Sequence, residues 1–139
     1  MARRGTTLIG QLVGISLLGL LFGITLRGAG TLRDQLALRS ARGAVREALS
    51  LARDQAMAGG RAVAVRFDAR DGRLVVHAAD DSLHRVALAS AWGVSLATTR
   101  DSTAYLPSGL GSGAANLSII LRRGAVADTL TVSRLGRVR

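Results

Sequence analysis

From Leu8 to Leu26 the chain runs for 19 residues without a charge, with Arg3 and Arg4 on one flank and Arg27 on the other. As an α-helix this stretch is roughly 28 Å long at 1.5 Å per residue, close to the hydrocarbon thickness of a bilayer. A transmembrane helix is therefore expected. A secretory signal would have a shorter apolar region, a small-x-small cleavage site and a polar mature start. Here the sequence continues in helical style through TLRDQLALRSARGAVREALSLARDQAMAGG. On one helical wheel Leu38, Ala41, Val45, Ala48, Leu49, Ala52 and Ala56 fall within about a 100° arc, the stripe of a helix laid against a core. Gly59 and Gly60 supply the stop, and Gly28 and Gly30 mark the expected bend between an apolar and an amphipathic half. With Arg3 and Arg4 retained in the cytoplasm, the residues C-terminal to the span lie outside it. Gly10 with Gly14, and Gly19 with Gly23, have the spacing that lets membrane helices approach closely.

After Gly60 the period changes from 3.6 to 2. In RAVAVRF, Val63, Val65 and Phe67 alternate with smaller or charged residues; in RLVVHAA, Leu74, Val76 and Ala78 share a face. The Asp71-Gly72 turn between them makes a hairpin. LHRVALA, WGVSLAT, NLSIILRR and DTLTVSR read as further strands, and RDSTAYLPSGLGSGAAN as a stretch of turn formers. A long N-terminal helix, half transmembrane and half amphipathic, packed on a small antiparallel β-sheet or sandwich head is an α+β layout.

Aromatics are 3% of the chain, so the core is expected from Ala, Val, Leu and Ile, with no deep ligand pocket. The absence of cysteine removes disulfides, thiolate catalysis and Cys-based zinc sites. Glu47, the sole glutamate, has no carboxylate at i+3 or i+4. His77 and His84 lie on different expected strands without metal-ligand spacing, and Asp80 and Asp81 read as turn residues. Ser108 in PSGLGSG lacks a nucleophile elbow, and GLGSG precedes a strand instead of a helix, so it makes no dinucleotide fingerprint. The expectation is a protein that is not an enzyme and has no catalytic residue, cofactor or metal.

Positive charge remains. All 19 basic residues are arginine and the formal net charge is +10. From Leu117 onward Arg122, Arg123, Arg134, Arg137 and Arg139 face one acid, Asp128. Arg137 and Arg139 share strand parity, so both can address one anion. Two readings are open: carboxylates of a neighbouring subunit, or phosphates of DNA contacted without base reading. Arg39, Arg42, Arg46 and Arg53 gather along one side of the helix with no acidic residue at i+4, which suits solvent, lipid headgroups or a neighbouring subunit.

The short basic leader MARRG followed by Thr7-Leu8-Ile9 and an apolar helix resembles the precursors of type IV pilins and pseudopilins. The order of ALSLARDQAMAGGRAVAV, AYLPSGLGSG and LTVSRLGRVR narrows the resemblance to the GspH/FimT family of minor pseudopilins and minor pilins. Its carriers are Ala52 and Arg53, then Tyr105, Pro107 and Gly109, then Gly136, Arg137 and Arg139. The resemblance implies cleavage after Gly5 by a prepilin peptidase, N-methylation of Thr6, and a pilin-like fold. It divides the chain into a leader (1–5), a transmembrane and filament-core helix (6–30), an amphipathic helix (31–60) and a periplasmic β-rich head (61–139). It also implies a single-pass protein of the bacterial inner membrane that joins other minor and major pseudopilins or pilins. The implied work is filament assembly and protein export, or DNA uptake through the basic C-terminal tail. Thr6 stands where the family usually has Phe, and Gly10 where it usually has Glu.

Overall fold

The computed structural model describes residues 7–79, 81–112 and 117–139, without the side chains of residues 24–29. Gly5, Thr6 and Asp80 lie outside the described residues. The helix α1 runs from Leu8 to Gly59 and continues through Gly28 and Gly30. The expected bend does not interrupt it: glycine weakens a helix by about 1 kcal/mol relative to alanine but removes no N–H donor. The chain's one proline stands elsewhere, at position 107.

The chain forms two compact units, Met1–Arg33 and Asp34–Arg139. In the first, large apolar side chains are exposed, from Leu8 at 75% to Phe22 at 68%. Among the described residues no helix is long and apolar enough to cross a membrane. The expected span to Leu26 ends among residues whose side chains are not described.

The second unit is built on the later half of α1. Leu38, Ala41, Val45, Ala48, Leu49, Ala52 and Ala56 are all buried there, the same seven positions that the helical wheel selects. After α1 come β1 (Val63–Asp68), β2 (Arg73–Ala78), β3 (Asp81–Ala87), α2 (Leu88–Trp92) and β4 (Ser95–Thr98). The chain ends with β5 (Ser102–Tyr105), β6 (Gly111–Ser112), β7 (Leu117–Arg123) and β8 (Val126–Val132). One sheet has the order β3-β2-β1-β5-β6 and the other β4-β7-β8, with every pairing antiparallel. Register places Val65 opposite Val76 and Phe67 opposite Leu74, so the inward sets of β1 and β2 coincide. They share one hydrophobic core with Leu117, Ile119 and Leu121 of β7.

The β1–β2 hairpin is tied by Asp68. Its carboxylate accepts the Asp71 N–H at 3.1 Å and two donors of Arg73. The bond from Asp71 first, and then Arg73, hold that carboxyl below its usual range.

Three elements depart from the sequence reading. The run RDSTAYLPSGLGSGAAN contains β5 and β6, and the end of LHRVALA turns into α2. Strands of four and two residues are too short to display alternation, and a five-residue helix too short for a 3.6 period. Asp81, expected in a turn, opens β3.

Candidate interaction groove

The sequence motifs that lie far apart in the chain meet at one place. On α1, Arg46, Leu49, Ser50 and Arg53 follow the i, i+3, i+4, i+7 spacing of a single helix face. Opposite them lies the C-terminal tail. It leaves β8 through a turn in which Gly136 N–H donates to Ser133 C=O and Ser133 N–H to Arg137 C=O, each at 2.9 Å. Arg139 and Thr131 then exchange two backbone hydrogen bonds of 2.9 and 3.0 Å, and Val138 forms a bridge with Val132. The tail is thus a short extension of the sheet edge. Val138 packs on the core, while Arg137 and Arg139 are exposed. These tail residues and the four helix residues line a groove of about 420 Å³.

Beneath the groove the Tyr105 ring, Gly109, Gly136 and Arg53 form one packed unit. Gly109 has φ +75°, and a Cβ there would stand 2.8 Å from Met57 Sδ and 3.3 Å from Arg53 Nε. Gly136 has φ +72°, and its Cβ would stand 2.9 Å from Tyr105 Cε1 and 3.3 Å from the Gly109 carbonyl oxygen. Only glycine meets both demands, conformation and closeness. Tyr105 is fully buried, and its hydroxyl and Arg53 Nε have no hydrogen-bond partner among the described residues. Burial pushes the Tyr105 phenol above its ordinary value, with the Arg53 charge opposing.

The five C-terminal arginines separate. Arg123 is engaged: its Nε donates to Asp34 at 2.8 Å and its Nη1 to the Trp92 carbonyl. Arg122 is exposed on β7 and Arg134 is exposed in the turn after β8. Arg137 and Arg139 join the groove. Of the helix arginines, Arg42 finds an acid across the fold, Asp128 at 2.8 Å, which i+4 counting could not reveal. Arg46 and Arg53 complete the groove. Their spacing around Leu49, a core position, was the signal that they flank a packed surface. Among the described residues no group of His, Asp and Glu could hold a metal ion.

The fold compares with solved structures of pilus and secretion subunits. The type IV minor pilin FimU of Pseudomonas aeruginosa is similar at a TM-score of 0.65 and 15% identity, over 76% of this chain and 88% of that one. The minor pseudopilin EpsH of the Vibrio cholerae type 2 secretion system is similar at 0.56 and 18%, over 74% and 94%. No curated protein matches in sequence. A sequence model of the family described as type II transport protein GspH matches residues 41–136, which takes in the helix face, the buried Tyr105 and the tail turn as far as Gly136. The chain belongs to this GspH family of minor pseudopilins and minor pilins.

Proposed function

We propose that the chain is a structural subunit of a type II secretion pseudopilus or a type IV pilus, working in filament assembly and protein export. The observation that carries this reading is the division of labour along α1. Its first part presents apolar side chains 54% to 75% exposed between Leu8 and Phe22, and its last part is the spine of the head. A contiguous apolar surface of that kind requires lipid or the helices of other subunits around it. In this reading the precursor sits in the inner membrane as a single-pass protein with its head in the periplasm. The prepilin peptidase cuts after Gly5, Thr6 is methylated, and the helix then passes into a filament with other pseudopilins or pilins. The work is mechanical, with no catalytic residue or cofactor assigned. Intact-mass measurement on chain co-expressed with the peptidase tests it: a product lacking residues 1–5 and carrying one methyl group is expected. A product still beginning at Met1 overturns it.

A second reading, DNA uptake, is favoured by the groove itself, where Arg137 and Arg139 stand with Arg46 and Arg53 and no acidic side chain lines the site. Phosphate contacts would make log affinity fall by roughly 0.9 per contact for each tenfold rise in salt. Replacing Arg137 and Arg139 by Ala removes about two contacts and flattens that slope by nearly 2. An unchanged slope excludes the tail as a DNA site.

A further inference from the structure

Four exposed leucine and methionine side chains belong to the segments that pack against Arg53 and Gly136 of the arginine groove. Met57 is 44% exposed, Leu106 40%, Leu110 45% and Leu135 59%. They are gathered by the same packed unit. The Leu106 N–H donates to the Leu110 carbonyl at 2.9 Å and the Gly109 N–H to the Leu106 carbonyl at 2.8 Å, closing a tight turn around Pro107. Gly109 in that turn is packed against Met57 and Arg53, and its carbonyl lies against Gly136, the neighbour of Leu135.

We infer that the arginine groove and its aliphatic rim together bind a protein segment presenting carboxylates beside aliphatic side chains. The inference rests on the reading of this chain as a filament subunit, and names the chemistry of the partner its head engages. Three features carry it. Arg46, Arg53, Arg137 and Arg139 have no ion-pair partner among the described residues, and guanidinium forks pair bidentately with carboxylates. Arg53 is half-buried with its Nε already desolvated and without an acceptor, so a counter-charge in the groove acts where water screens it least. The backbone of the tail is held in place by the Thr131–Arg139 bonds and by Gly136 against Tyr105, so binding has to order the arginine side chains but not the chain that carries them. The rim then selects among anions. Its side chains are aliphatic: they give nucleobases no stacking platform and a phosphate chain nothing apolar to cover them. A protein segment with leucine-like side chains next to its acids satisfies both parts.

The test uses the full chain in nanodiscs of zwitterionic lipid at physiological ionic strength, with three fluorescein-labelled probes: a short peptide alternating glutamate and leucine, oligoglutamate of equal charge, and duplex DNA. The alternating peptide is expected to bind at least about tenfold more tightly than either other probe, the size of effect that covering two half-exposed leucines supplies. Leu110→Ser with Leu135→Ser should bring the peptide down to the oligoglutamate level and leave oligoglutamate unchanged; both residues are exposed, so the variant retains its core. Arg137→Gln with Arg139→Gln should weaken both peptides. Equal or tighter binding of DNA, or insensitivity of the peptide to the leucine changes, overturns the inference. Loss of peptidase processing would instead count against the filament reading, because it is read on the N-terminus and not on the groove.

Discussion

Gly136 and Tyr105 are 31 positions apart in the sequence, yet a Cβ on one would overlap the ring of the other. Gly136→Ala therefore meets both a left-handed backbone and a blocked space, and should lower head stability by about 1–3 kcal/mol in urea unfolding. A loss within a few tenths would mean the tail is not seated on the ring. Tyr105→Phe should behave oppositely. It removes a buried hydroxyl without a partner, so stability should hold or rise by up to about 1 kcal/mol. The pH dependence comes from the raised phenol: the folded state keeps the proton more tightly than the unfolded one. That contribution is present below the ordinary phenol value of about 10 and is lost as pH rises through the folded value. Unfolding midpoints measured across the alkaline range should fall above about pH 10, and less steeply in the phenylalanine variant. At this scale the sequence shows the strings Ala52-Arg53, Tyr105-x-Pro107-x-Gly109 and Gly136-Arg137-x-Arg139. Their mutual contact is invisible there, because nothing local reports which distant glycine lies under which ring.

Secondary elements divide along the same line between local and distant physics. The buried face of α1 is legible because one period over many residues repeats a single physical demand, and the inward sets of β1 and β2 because each strand alternates over six residues. The elements β5, β6 and α2 are fixed by their neighbours instead, as in the pairing of β5 with β1 and β6 with β5. Two ion pairs attach the β7–β8 hairpin to α1, Arg123 with Asp34 and Arg42 with Asp128. Neither can be read from spacing on one helix. In the first pair the side chains are 31% and 29% exposed, so solvent screens the attraction only partly. A double-mutant cycle with Asp34→Ala and Arg123→Ala should give a coupling of about 1 kcal/mol, the upper end of the range for surface pairs because both side chains are largely shielded from solvent. A coupling near zero would leave Arg42–Asp128 and apolar packing as the hairpin's attachment to α1.

Across the whole chain, the two units have opposite relations to water. The head encloses its own core, in which the helix residues from Leu38 to Ala56 pack with both sheets, and Leu38 is the first core residue among the described residues. The first unit has exposed apolar side chains and depends on its surroundings to cover them. Removing residues 1–30 should therefore leave the thermal midpoint of the head within a few degrees of the full chain, since the described core residues begin at Leu38. The same deletion should abolish retention in the membrane fraction after a high-salt wash, which the full chain should survive because apolar attachment is insensitive to screening. The pairing of outcomes matters more than either alone. With a net charge of +10, the chain could be held on an anionic lipid surface by its arginines, and a salt wash would then release full and shortened chains alike. Release of the full chain by salt would move the attachment from the helix to the head. Collapse of the shortened chain's melting transition would make α1 one cooperative element from end to end, and the head would no longer be a separable cargo on an apolar anchor.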